Sequence, residues 1–169
     1  MSDLILQSFN NTIDQWMQAL DGYTLEQLCR QPQPNRWSLG QMYKHLIDDT
    51  SWFAEQMKAS LSSNENIAEP MHKHAKAMLA NNSFPDIMIE GPATNTYIPQ
   101  PQNKEELLQG LLSIKNEVNN LDFTAPSGKT RHPGLLYFNA LEWLQFADMH
   151  MRHHFSQKQR IDLVLFPAC

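Results

Sequence analysis

The chain has 169 residues, a formal net charge of −5, and 41% hydrophobic against 18% charged residues. This composition is typical of a globular protein and predicts a single domain, residues 1–169, with a sizeable core. A negative net charge without a Lys/Arg cluster argues against a nucleic-acid partner, and no apolar run reaches the ~18 residues of a membrane span. The acidic N-terminus and two cysteines, which form no CxxC or disulfide pattern, predict a cytoplasmic protein.

The first predicted helix runs from about Asp3 to Leu20, where apolar side chains repeat at helical spacing and Gly22 follows. A capping-box pattern comes next, formed by Thr24 and Gln27. It predicts a short helix of one or two turns, which ends before a proline-containing segment.

A second capping box, Ser38 with Gln41, opens a helix that we predict to end near Leu61. Residues 62–102 then carry five of the ten prolines, and only Met71–Ala80 has a helical pattern. A connection of this length inside a compact domain is usually functional. We interpret it as a crossover that also covers one end of a helical bundle.

Asn103 caps the third long helix, whose apolar residues continue to about Leu121. The segment Asp122–Phe138 is predicted to be a loop, and a capping box at Asn139 opens the last helix, which ends near Leu165. Four long amphipathic helices with no alternating strand pattern predict an all-α fold. We expect a four-helix bundle with a long crossover between the second and third helices.

The last predicted helix carries two histidines within its apolar stripe. When successive residues are set 100° apart, Trp143 lies about 20° from His150, and His154 lies about 40° from His150. A buried imidazole without a partner costs roughly 1–3 kcal/mol. A metal ion is the partner that this i, i+4 spacing suits best.

A third histidine lies on the second long helix, about 80–100° to one side of the centre of its apolar stripe. This residue is His45, and Asp49 falls about 40° from it around the same helix. The sequence therefore predicts a metal site formed by His45, His150 and His154. The alternative is that these are core histidines whose polar atoms are satisfied without a metal.

Three further side chains are candidates for supporting positions. His153 falls about 60° from His150, on the side away from His154, so that it either contacts a second-shell group or points to solvent. Asp49 and Gln157 are predicted to orient the ligands or the substrate.

The other histidines and motifs add little to this site. His72 and His74 lie in a Lys-rich segment, which favours a solvated face, and His132 is predicted to be a structural loop residue at the mouth of the site. HExxH motifs, glycine-rich phosphate loops and G-x-S-x-G elbows are missing from the sequence. The one Glu-x-x-His motif, Glu69–His72, is interrupted by proline, which argues against a ferritin-like di-iron centre.

Three imidazoles around one ion leave coordination positions open, as in catalytic rather than structural sites. An all-nitrogen set fits Zn, Ni, Fe, Co or Cu, and of these we expect Zn or Ni. Such a centre can acidify a water molecule for hydrolysis, or bind a small thiol as the thiolate for S-transfer. Because the ligands must be neutral, metal affinity is expected to weaken below about pH 6.

Trp37–Ser38 opens a helix, and His45 follows seven residues after Ser38. Together with the two histidines of the last helix, this pattern resembles the DinB/YfiT-like superfamily. The similarity to DinB-like members extends over the motifs His132-Pro-Gly, Asn139-x-x-Glu142-Trp143 and His150-x-x-His153-His154-x-x-Gln157.

The resemblance implies a four-helix bundle with a long connection between the second and third helices, and a homodimer. It maps the metal triad of the family onto His45, His150 and His154. Characterised relatives are thiol-dependent transferases or isomerases that use bacillithiol, mycothiol or similar cofactors. Other members are described as metal-dependent hydrolases without a known substrate.

The leading hypothesis from the sequence is a metal-dependent enzyme that transfers a low-molecular-weight thiol to a small electrophile. A general base is not assigned, since a metal-bound thiolate needs none. The first rival is a metal-dependent hydrolase of a small amide or ester. The second rival is a non-catalytic bundle that binds a partner through its proline-rich crossover.

Overall fold

The computed structural model describes residues 1–85 and 97–167, and within these ranges the chain forms six helices and two short strands. In chain order they are α1 (Ser2–Asp21), α2 (Leu25–Cys29), α3 (Leu39–Leu61), α4 (Lys73–Asn81), α5 (Lys104–Asn119), β1 (Lys129–His132), β2 (Leu136–Asn139) and α6 (Ala140–Leu165). The four long helices α1, α3, α5 and α6 pack into a four-helix bundle, which confirms the predicted fold. Within the described ranges, no helix combines the length and apolar character needed to cross a membrane.

The helices begin where the capping patterns predict. Thr24, Ser38 and Asn139 each accept a hydrogen bond from the backbone N–H three residues later, and the side chain of that later residue accepts one in return. At the start of α5, Asn103 Oδ1 accepts a hydrogen bond of 2.8 Å from the backbone N–H of Glu106. Each such cap is worth about 1 kcal/mol, because it satisfies N–H groups that have no partner inside the helix.

The long helices bury the apolar faces predicted for them. The last turns of α6 are an exception, because Val164 belongs to the apolar stripe but its side chain is 57% exposed. The largest buried side chains of the core are Phe9, Ile13, Trp16, Tyr43, Phe138 and Trp143.

The bundle has an up, down, down, up order, in which α1 runs parallel to α6 and α3 runs parallel to α5. The contacts that fix these directions are Thr12–Asp148 and Tyr23–Asp162 for α1 and α6, Lys44–Glu106 and Lys58–Glu117 for α3 and α5, and Phe53–Trp143 and His45–His154 for the antiparallel α3 and α6. Parallel helices cannot be joined by a short turn. Since the 23 residues of α3 span about 34 Å, the chain must travel that distance back before α5 begins.

The described parts of the crossover show how the chain makes this return. Its helix α4 packs against α6, and its last residues lie at the start of α3. There Gln41 Nε2 donates to the carbonyl oxygen of Ile98 at 2.5 Å, and Ser38 Oγ donates to Gln100 Oε1 at 2.7 Å. The two capping-box residues of α3 therefore also hold the end of the crossover.

The segment Asp122–Phe138 contains an antiparallel β-hairpin, so the prediction of a plain loop is wrong here. Each strand has only four residues and does not alternate cleanly between buried and exposed positions. Contacts with the bundle hold the hairpin instead. Trp143 Nε1 donates to Thr130 Oγ1 at 2.8 Å, and the N–H of Gly128 donates to the carbonyl oxygen of Ser60 at 2.9 Å.

The crossover packs closely on α3 at Gly40. A Cβ atom at this position would lie 2.5 Å from Cγ of Pro101 and 3.1 Å from the carbonyl oxygen of Leu28. Separations this short are not available to a side chain. Gly40 is therefore required by the close packing of the crossover on the first turn of α3.

We expect Gly40→Ala to lower the free energy of unfolding by about 1–2 kcal/mol, because displacing Pro101 outweighs the gain in helix propensity. Urea denaturation measures this change. The matched control is Gly134→Ala, where a Cβ atom meets nothing within 4 Å and stability should be unchanged. Equal stability of the two variants would contradict the close packing described here.

Candidate metal centre

The antiparallel packing of α3 and α6 brings together the three histidines that the sequence nominates. His45, His150 and His154 each offer one ring nitrogen, and these three atoms lie within 4.8 Å of one another. The Nε2 atoms of His150 and His154 are 3.2 Å apart. The ring of His45 stands edge-on to both, with centroid distances of 5.5 Å to His150 and 5.0 Å to His154.

Gln157 orients His154, as its position one turn further along α6 suggests. The Oε1 atom of Gln157 lies 2.9 Å from His154 Nδ1. Because an amide oxygen only accepts hydrogen bonds, Nδ1 carries the proton in this pair. The neutral ring of His154 therefore presents the lone pair of Nε2 to the centre of the triad, which is the form that binds a metal.

His150 is held by aromatic packing. Its ring meets Phe53 at 5.5 Å and Phe84 at 6.2 Å, both edge-on. Its Nδ1 atom is buried and makes no hydrogen bond with the described residues. Aromatic packing therefore holds the ring, and its Nε2 atom faces His154 Nε2 at 3.2 Å.

Asp49 lies at the same level of the bundle, between two of the histidines. Its Oδ2 atom is 3.4 Å from His45 Nε2 and 3.5 Å from His150 Nε2. Burial raises the pKa of this carboxyl, and the charge of His45 opposes that effect. The side chain is still 39% exposed, whereas His45 is 20% and His150 14% exposed, so Asp49 lines the side of the triad that faces solvent.

Burial keeps the three histidines neutral. It lowers the pKa of His45, lowers that of His154 to about 4, and lowers that of His150 well below its ordinary value. The other imidazoles add to the effect on His150 and His154, because two positive charges at this distance repel each other. At neutral pH all three rings are available as uncharged donors.

This donor set fits a divalent transition metal. With metal–nitrogen distances of about 2.0–2.1 Å in a tetrahedral site, the ligand nitrogens lie roughly 3.3 Å apart. The 3.2 Å between the Nε2 atoms of His150 and His154 already has this value. Three neutral imidazoles would hold such an ion and leave at least one coordination position open.

Two other histidines lie near the centre but outside the triad. The ring of His153 packs against Phe84 at 5.5 Å and does not join the three ligand atoms. His132 stacks on Trp143 at 5.6 Å, its Nδ1 accepts from the N–H of Gly134 at 3.1 Å, and burial lowers its pKa to about 4. His132, the last residue of β1, therefore packs against the aromatic side chains between the hairpin and α6.

The structure also shows a polar network behind the triad that sequence reasoning missed. The carboxylate of Asp148 is 2% exposed and accepts hydrogen bonds from Ser8 Oγ at 2.8 Å, Thr12 Oγ1 at 2.6 Å and Arg152 Nε at 3.1 Å. The i, i+4 spacing of Asp148 and Arg152 was a usable signal. Phe84 gave no signal, because it lies in a segment without periodicity.

We expect the metal-free protein to lose stability as the pH falls from 6.5 towards 4. In the unfolded chain a histidine has a pKa of about 6.5, and burial lowers this value for the triad, so that the unfolded state binds more protons in this range. Each titrating histidine contributes up to ~1.4 kcal/mol per pH unit. Urea denaturation at several pH values in the presence of a chelator measures the slope.

The matched variant is His154→Gln, which should give a shallower slope than the wild type. A wild-type stability that stays level between pH 7 and pH 5 would contradict the burial of neutral imidazoles. The same lowered pKa values place the loss of metal affinity at a lower pH than the value of about 6 expected from the sequence.

The structure of YfiT from Bacillus subtilis, described as "a probable metal-dependent hydrolase with an unusual four-helix bundle topology", matches with a TM-score of 0.63. The two chains are 16% identical, and the match covers 95% of this chain and 85% of YfiT, so the similarity concerns the fold. No curated protein matches the chain. The family profile of the DinB superfamily matches residues 8–157, and the chain therefore belongs to this superfamily.

Proposed function

We propose that the protein is a metal-dependent hydrolase that acts on a small amide or ester. His45, His150 and His154 hold a divalent ion, with Zn or Ni as the expected metal, and Asp49 is the general base. One observation carries the proposal: Asp49 Oδ2 lies 3.4 and 3.5 Å from the Nε2 atoms of two of these histidines. The description of YfiT as a probable metal-dependent hydrolase supports the same reaction class.

The residues of the centre have distinct tasks. When bound, the ion supplies Lewis acidity, which lowers the pKa of a coordinated water and polarises a carbonyl group. Asp49 accepts the proton of the attacking water as the new carbon–oxygen bond forms, and returns it to the leaving group as the carbonyl carbon–nitrogen or carbon–oxygen bond breaks. Gln157 keeps His154 in the tautomer that directs Nε2 to the centre.

The second candidate is S-transfer from a low-molecular-weight thiol to a small electrophile. Its support is that all three imidazoles are neutral. Neutral ligands do not offset the charge of a divalent ion, and an ion with this charge favours a bound thiolate over a thiol. This reaction needs no general base. The role of Asp49 therefore separates the two candidates.

Other expectations from the sequence stay predictions. They are the cytoplasmic location, a homodimer, a small-molecule substrate, and the lack of nucleic-acid and membrane partners.

We expect the purified wild type to bind about one Zn²⁺ or Ni²⁺ per chain, and His150→Ala/His154→Ala to lose this binding. Elemental analysis after dialysis against the metal measures both. His72→Ala/His74→Ala is a matched control, because these two rings are also neighbours, 4.8 Å apart, but lie at the start of α4. If the control loses as much metal as the first variant, or the wild type binds none, both catalytic candidates fail.

We expect Asp49→Asn to lower kcat for hydrolysis of a 4-nitrophenyl ester by about 10²–10⁴-fold, the usual contribution of a general base. Metal content should be unchanged. Asp48→Asn is the control, since Asp48 is the exposed neighbouring carboxylate, carries the same charge, and influences His45 and Asp49 through that charge alone.

The same three proteins are assayed for S-transfer to 1-chloro-2,4-dinitrobenzene, with and without added cysteine as the thiol. Turnover that requires the thiol and is insensitive to Asp49→Asn would favour S-transfer over hydrolysis. Ester hydrolysis that survives Asp49→Asn unchanged would overturn the role of Asp49 as the base.

A further inference from the structure

Two aromatic rings pack against histidines of the triad. Trp37 packs on His45 with a centroid distance of 4.9 Å, and Phe84 packs on His150 at 6.2 Å and on His153 at 5.5 Å. Both side chains are half-buried, so each keeps part of its surface open. Two of the three predicted ligands therefore have an aromatic neighbour that is partly open to solvent.

The position of Phe84 depends on Asn82, which lies two residues earlier in the chain and is anchored to α6. Asn82 ends α4 in the left-handed conformation, with φ 50°. Arg152 Nη1 donates to its carbonyl oxygen at 3.1 Å, Arg152 Nη2 donates to its Oδ1 at 2.9 Å, and Gln145 Nε2 donates to the same Oδ1 at 3.3 Å. Arg152 is in turn held by the buried carboxylate of Asp148. Phe84 thus stands two residues from a rigid anchor on α6.

The two cations of α6 nearest to His154 are already paired. They are Arg152 and Lys158, and each forms an ion pair with a carboxylate one turn away on the same helix. Neither cation is free to pair with a charged group beside the reacting bond, whereas an aromatic group there would gain contact with the rings.

We infer that the substrate carries an aromatic group next to the bond that reacts, and that Phe84 is the residue that selects for this group. The inference rests on the proposed metal-dependent function, because it places the reacting bond at the triad. Phe84 packs against the aromatic group of the substrate, and Trp37 offers a second aromatic ring beside His45. The anchor formed by Arg152 and Asn82 keeps Phe84 in place before the substrate binds, which lowers the ordering cost of binding.

The experiment compares acetohydroxamate and benzohydroxamate as probes of the zinc-loaded protein, by isothermal titration calorimetry. The two probes bind a metal through the same group and differ only by the phenyl ring. We expect the wild type to bind benzohydroxamate about tenfold more tightly or better, and Phe84→Ala to remove most of this ratio. Because Phe84 also packs on His150, zinc content is measured for each variant and the ratio is compared at equal zinc occupancy.

Two further variants keep the test sharp. Asn82→Gly retains the left-handed backbone and the carbonyl acceptor but removes the side-chain contact with Arg152, so it should reduce the ratio by a smaller factor. Phe123→Ala removes another partly buried Phe, from the segment after α5, and should leave the ratio unchanged.

The outcomes distinguish this inference from the proposed function. If acetohydroxamate binds and the phenyl ring adds no affinity, or if Phe84→Ala and Phe123→Ala have the same effect, the aromatic selectivity is overturned while the metal centre stands. If acetohydroxamate binds the wild type no better than it binds His150→Ala/His154→Ala, the proposed function fails and the inference fails with it.

Discussion

The parallel direction of α3 and α5 is the constraint on which the rest of the structure depends. Two consecutive parallel helices must be joined by a chain that returns along the bundle, and residues 62–103 form this connection. The return passes over α6, where α4 packs, and ends at the first turn of α3. These are the two helices that carry the triad, so the connection required by the topology also supplies Phe84 beside His150.

The site itself depends on burying imidazoles in a seam that would otherwise be apolar. A buried imidazole is far less costly when it is uncharged, and burial itself lowers the pKa so that the ring stays neutral. Local hydrogen bonds, such as that of Gln157 with His154, offset part of the free energy lost in burying the polar atoms. The Nδ1 atom of His150 gains no such partner within the described residues. A metal ion held by one ring nitrogen of each histidine would add a favourable interaction for all three buried rings.

Much of the bundle could be predicted because its signals are local. The capping boxes at Thr24, Ser38 and Asn139 act within one turn, and the helix boundaries follow from them. The spacing of His150 and His154 places both rings on one face whatever surrounds the helix. The β-hairpin could not be predicted in this way, because its four-residue strands are held by Trp143 and by the end of α3 rather than by their own pattern.

Sequence alone determined the four long helices, the long connection and the three histidines, since each depends on side-chain spacing along one helix. Only the tertiary structure decided that Asp49 lies between two of the histidines, that His153 packs against Phe84 outside the triad, and that a buried carboxylate on α6 anchors the crossover through Arg152. These features arise where separate elements meet. Their geometry depends on the directions in which the helices pack, and no local pattern in the chain encodes those directions.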